Sequence, residues 1–234
     1  MKRFANIFLV ILFSALYAGG CGEDSPTQNP DSNEHLLVKG QMHGWTWGKD
    51  KLISFTESDP NGNGISLAVN NINREGSFML VVPPPPAFEM KPIKEFFYKY
   101  DGYNEHPAIS DTTVKFFKGG LRILKNGELV GGTEWVCYRG VDPVKGGHLE
   151  SYKAGYYYFD KDVEIKGWLG NTNYSGINYF ITAKAGWNII LDKYVNGGGV
   201  YIINNRDLNG YYQYYGLMVI PDSLKWGGGV VVPN

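Results

Sequence analysis

Cysteine is nearly missing from this chain of 234 residues: only Cys21 and Cys137 occur. Histidine is sparse too. His35, His43, His106 and His148 show no metal-type spacing such as a pair four apart on a helix. There is no Gly-x-Ser-x-Gly elbow and no phosphate-binding loop. No basic cluster stands out and the net charge is −1, so nothing points to nucleic acid. Helix formers such as Ala and Glu are thin. No apolar run reaches the roughly 20 residues that a membrane-spanning helix needs. No repeat has a fixed period: Gly-Trp recurs at Gly44-Trp45, Gly167-Trp168 and Gly186-Trp187 with unequal spacing. These absences leave no cofactor to expect, and they favour a non-enzyme.

What the chain does have is aromatics and glycine, with 17 Tyr, 6 Trp and 31 Gly. That balance favours strands and tight turns. The clearest pattern is GYYYFDKDVEIKGW, where Tyr157, Phe159, Val163 and Ile165 share one parity. Tyr158, Asp160, Asp162, Glu164 and Lys166 share the other, as on an antiparallel sheet with one buried and one wet face. Lys161 falls on the apolar parity, which puts a break or bend near Asp160–Lys161. Further strands are expected in HLLVKGQMHGW, KLISFTES, ISLAVNNI, SFMLVVP, TTVKFF, GLRILK, ELVGG, TEWVCYR, GVYIINN and YYQYYGLMVI. Two more flank Lys184–Asn188, and Asn126-Gly127 signals a hairpin. Pro83–Pro86 reads as extended polyproline. KPIKEFFYKY (91–100) spaces Ile93, Phe96, Phe97 and Tyr100 like a short helix, the one helix expected after residue 20, covering an open end of the fold. VDPVKGGHLES reads as loop, and Cys137 as a buried strand residue. The fold expected is all-β, an antiparallel β-sandwich of about ten strands.

The first 21 residues begin with Lys2 and Arg3, run apolar over 4–17, and end in Ala18-Gly19-Gly20-Cys21. That order describes a secretory signal. The cysteine directly after small residues resembles a bacterial lipoprotein signal. The resemblance implies cleavage before Cys21, a diacylglycerol on its sulfur and an acylated amine. Loss of residues 1–20 leaves 214 residues and, with Lys2 and Arg3 gone, a net charge of −3. Residues 22–34, GEDSPTQNPDSNE, have the composition of a disordered tether, with a span of at most about 45 Å. Glu23-Asp24 resembles the export signal of some Gram-negative surface lipoproteins and equally suits a solvated linker. The expected address is a Gram-negative cell envelope, with the protein held on the outer membrane through Cys21. The expected layout is signal 1–20, tether 21–34, β domain 35–220 with a possible sub-boundary at 83–86, and a tail or edge strand over 221–234.

Val38-Lys39-Gly40 and Glu75-Gly76-Ser77-Phe78 resemble the carboxypeptidase regulatory-like (transthyretin-like, or prealbumin-like) β-sandwich module, with Asn73 where that family commonly has Asp. Residues 158–167 followed by Lys184-Ala185-Gly186-Trp187-Asn188 resemble a group of uncharacterised bacterial lipoproteins. Both resemblances imply a β-sandwich and bring no activity.

Three candidate chemistries remain. Asp59, Asn61, Asn63 and Gly64 match the first half of a calcium loop, but Asn70 stands where the bidentate Glu is needed. Asp160, Asp162 and Glu164 place carboxylates at 6.6–7 Å intervals (an approximate strand spacing) along one face, in the range of inverting glycosidases, though they point in parallel. Trp45 and Trp47 share a parity, and Tyr211, Tyr212, Tyr214 and Tyr215 crowd another strand. Exposed, such rings suit stacking on sugars or on a protein partner; otherwise they are core or cross-strand pairs. The expectations are thus a non-catalytic lipoprotein with a protein partner or a structural role, a carbohydrate-binding module, or a hydrolase.

Overall fold

Alternating apolar residues become strands almost wherever the pattern occurs. The computed structural model describes residues 34–57, 65–96, 105–141, 148–170, 176–195, 199–204 and 212–219. Its strands are β1 (Leu36–His43), β2 (Lys51–Glu57), β3 (Ser66–Ile72), β4 (Ser77–Val82), β5 (Lys91–Pro92), β6 (Ala108–Ile109) and β7 (Lys115–Lys125). Then follow β8 (Glu128–Val141), β9 (His148–Phe159), β10 (Val163–Leu169), β11 (Ile177–Ala183), β12 (Gly186–Val195), β13 (Gly199–Asn204) and β14 (Tyr212–Val219). The fold is all-β, and its pairs are antiparallel except β1–β14 and β11–β13. Among the described residues no helix is long and apolar enough to cross a membrane.

The ladder runs β4-β1-β14-β8-β7-β9-β12-β13-β11-β10-β6, and β2 joins β7 to β3. β3 and β4 are joined by a tight turn but do not pair with each other. Instead the Asn70 Nδ2 donates to the Met79 carbonyl at 2.9 Å across the seam between them. In that turn the Asn73 Oδ1 accepts the N–H of Glu75 (3.1 Å) and of Ser77 (2.7 Å). An Asp would make the same two bonds, so Asn at this position leaves the turn intact.

Two cores lie on opposite sides of the strands they share. One holds Val38, Ile53, Phe55, Leu80, Trp135, Cys137, Tyr156, Trp187 and Tyr215. The other holds Ile93, Phe159, Val163, Ile165, Leu169, Ile181 and Ile190. β9 sends Tyr152 and Tyr156 to the first core and Tyr157 and Phe159 to the second. The wet face expected across residues 158–166 therefore holds from Asp160 onward and fails at Tyr158. Tyr158 packs against the first core, edge-on to Trp187 with centroids 5.5 Å apart.

Three other expectations change. TTVKFF and GLRILK are parts of one strand: β7 passes through Gly119-Gly120, where it exchanges β9 for β8 as its partner. ELVGG and TEWVCYR likewise merge in β8, and His148–Ser151, expected in a loop, extend β9 because Tyr138–Val141 of β8 pair with them. The helix expected over 91–100 is, in its described part, a bridge at Lys91–Pro92 and a single 3-10 turn at Ile93–Phe96. Lys91 and Pro92 are held extended by pairing with β7, and the Ile93 N–H bonds to the Val114 carbonyl at 2.8 Å. This turn does cover the second core, with Ile93 fully buried and the Phe96 ring against Phe116, Tyr157 and Tyr179.

Candidate functional site

The aromatic site is built where β1 ends. Gly44 and Gly48 take positive φ, and between them the chain carries Trp45 and Trp47 before β2 begins. Both rings are half-buried against the first core, with centroids 5.5 Å apart and planes inclined by 46°. Trp45 spends its Nε1–H on the Gly48 carbonyl at 3.1 Å, and the Lys51 Nζ donates to the Trp47 carbonyl at 3.3 Å. Each indole rests on a glycine. A Cβ on Gly76, whose φ is +86°, would stand 2.6 Å from the Trp45 Cβ and Cγ. A Cβ on Gly131 would stand 2.9 Å from the Trp47 Cη2. The pair is thus a seated shelf: rigid, partly at the surface, with one polar tip already used. Such a shelf offers stacking area at low entropic cost.

The tyrosine cluster does not join it. Tyr215 is fully buried, edge-on to Phe78, with its hydroxyl 3.0 Å from that of Tyr156. The exposed platform expected of Tyr215 is therefore absent, because the first core lies on its side of β14. Tyr212 and Tyr214 pair through their backbones with Tyr138 and Val136 of β8. Tyr211, the side chains of Tyr212 and Tyr214, the loop of Asp59, Asn61, Asn63 and Gly64, and Cys21 all lie outside the described residues.

The three strand carboxylates are separated by use. β9 turns into β10 at Asp160–Asp162, next to the two-residue link between β11 and β12. The Asp160 Oδ1 accepts the Lys115 N–H at 2.8 Å. The Asp162 carboxylate accepts the Ala185 N–H at 2.9 Å and the Lys184 Nζ at 2.7 Å. The Glu164 Oε2 takes the Lys166 Nζ at 2.8 Å. The hydrogen bond from Lys184, then that from the Ala185 backbone, holds the Asp162 carboxyl below its ordinary range. A general acid needs the opposite shift. Beside these residues an open groove of ≈ 220 Å³ is lined by Ser110, Asp162, Glu164, Thr182 and Lys184. Among the described residues no group of three or more His, Cys, Asp or Glu is placed to hold a metal ion.

The sequence pattern singles out Lys184–Asn188 but not the bonds that Asn188 makes, nor the settings of Thr113 and Asp192. Asn188, 7% exposed, accepts the Lys184 N–H (3.1 Å) and donates to the carbonyls of Lys184 (2.7 Å) and Gly186 (2.9 Å). The Thr113 hydroxyl and N–H bind Asp111 and lower its carboxyl, while the Lys161 Nζ donates to the Thr113 hydroxyl. On β12, Asp192 faces Lys118, Lys153 and Glu134, and burial raises its carboxyl above the ordinary range.

Compared with family models, with curated proteins and with solved structures, the chain has no match.

Proposed function

We propose that this is a lipid-anchored protein of a Gram-negative cell envelope, held through Cys21, whose β domain has a non-catalytic binding or structural role. The observation that carries the non-catalytic part is the corner at Asp160–Asp162. Its carboxylates serve as acceptors for backbone N–H groups and lysines, and Asp162 is shifted away from general-acid behaviour. The anchor rests on the order of residues 2–21, from Lys2-Arg3 through the apolar run to Cys21. The sandwich arrangement, with its transthyretin-like and lipoprotein resemblances, belongs to the same reading. It draws support from β9 and β12, which carry apolar side chains on both faces, and from the Asn73 turn.

A second reading, carbohydrate binding, is favoured by the seated Trp45–Trp47 pair. Residues 22–234 applied to a glycan array and to an envelope-extract pull-down, each with Trp45→Ala and Trp47→Ala beside the parent, separate the two. Glycan binding lost in both variants makes it a sugar module. One protein partner recovered without glycan binding supports the first reading and removes the second. Turnover of a glycan by the parent would overturn the non-catalytic assignment.

A further inference from the structure

β4 is apolar on both parities. Phe78, Leu80 and Val82 point into the first core, while Met79 and Val81 are 52% and 58% exposed. A strand apolar on both faces is normally covered on both. Val69, 50% exposed, lies on β3 on the parity opposite to Asn70, whose side chain bonds to the Met79 carbonyl across the seam. Phe88, 81% exposed, follows Val82 by six residues, after the four prolines. Four of the five large apolar side chains exposed among the described residues therefore fall on β3, β4 and the turn just after β4. The fifth, Phe180, is on β11, eight strands from β4 along the ladder.

This bare face lies where the chain from Cys21 enters the fold. Leu36, the first residue of β1, pairs with Val82, and Leu37 pairs with Val81. Lys39 pairs with Met79, so a cation stands beside the aliphatic groups. Fifteen residues of chain from Cys21 to Leu36 reach at most about 50 Å. Tethering at that range raises the local concentration of the face at the lipid surface, so an apolar contact too weak to act alone becomes populated.

We infer that the outer face of β4, with Met79 and Val81, rests on the bilayer that holds the acylated Cys21. The aliphatic groups enter the headgroup boundary and Lys39 meets anionic headgroups. This inference rests on the lipid-anchor reading. The test uses the full lipidated chain in nanodiscs of phosphatidylethanolamine and phosphatidylglycerol. An environment-sensitive dye is placed on Met79→Cys or, as control, on Phe180→Cys; both positions are exposed, and Cys137 is buried. The expected result is a blue-shifted emission at 79, quenched by doxyl-labelled lipid, with water-like emission at 180. Water-like emission at 79 in a sample whose N-terminal peptide is acylated overturns the inference alone. A blue shift at 79 that persists in detergent and grows with protein concentration assigns the face to a second copy of the chain and also overturns it. An N-terminal peptide without acyl chains overturns the anchor reading and this inference with it.

Discussion

Truncating Asn188 tests the reading of the acidic corner as architecture. In the parent its side chain satisfies one N–H and two carbonyls within the link from β11 to β12, at 3.1, 2.7 and 2.9 Å, in a position 7% exposed. Asn188→Ala strands these groups where water reaches them poorly. At about 1 kcal/mol net for each such bond, the loss is about 3 kcal/mol. For a domain of 150–250 residues, where 1 kcal/mol moves Tm by about 2–4 °C, that is a drop of about 6–12 °C. Asn188→Asp should do no better, since a carboxylate keeps the acceptor for the Lys184 N–H but loses both donors. Asp162→Ala, at an exposed carboxylate, should lower Tm less than Asn188→Ala does. Thermal melts by circular dichroism, with urea titration to check an unchanged m-value, read all three. An Asn188→Ala melt within about 2 °C of the parent would refute the reasoning.

Four further outcomes follow from the same geometry. Asp192→Asn should raise Tm at pH 7: burial raises the folded pKa above the ordinary aspartate value of 3.8, so the charged form costs stability as pH rises, and the gain should vanish below that value. Asp162 and Asp111 have the opposite sign, with folded pKa values below 3.8, so their contribution is present above 3.8 and fades as pH falls through the lowered values; urea titrations from pH 7 to 2 should show Asp162→Asn converging on the parent in acid. Gly76→Ala should cost about 1–3 kcal/mol, from the left-handed backbone together with displacement of Trp45, and should shift the tryptophan emission. Tyr215→Phe removes one end of the buried hydroxyl pair with Tyr156 and should cost about 1–2 kcal/mol in urea titration.

The sequence made the strands visible wherever one face is buried and one is wet, as in β10, and the bend at Asp160–Lys161 showed itself through the parity of Lys161. It was less informative where a strand has apolar neighbours on both sides. β9 lies between two cores, so Tyr156 and Tyr157 are both buried and parity carries no information. Tyr215 looked like part of a surface cluster, since local composition does not tell which face of β14 meets the core. The short link at Lys184-Ala185 suggests a hairpin, yet β13 pairs with both β11 and β12, and only long-range pairing reveals that. Lys184–Asn188 stood out as a pattern, but the work of Asn188 emerges only once the backbone around Gly186, at φ +99°, is known. The Trp45–Trp47 shelf was legible as a pair. Its seats on Gly76 and Gly131 were not, being 31 and 84 residues away in the chain.

The anchor is the premise on which the envelope address and the membrane-facing strand both depend, and one spectrum addresses it. Mass spectrometry of the N-terminal peptide from protein purified out of the native envelope should show a chain beginning at Cys21, with a diacylglycerol thioether and an acylated amine. A peptide that retains residues 1–20, begins at another residue, or carries an unmodified Cys21 would contradict the account.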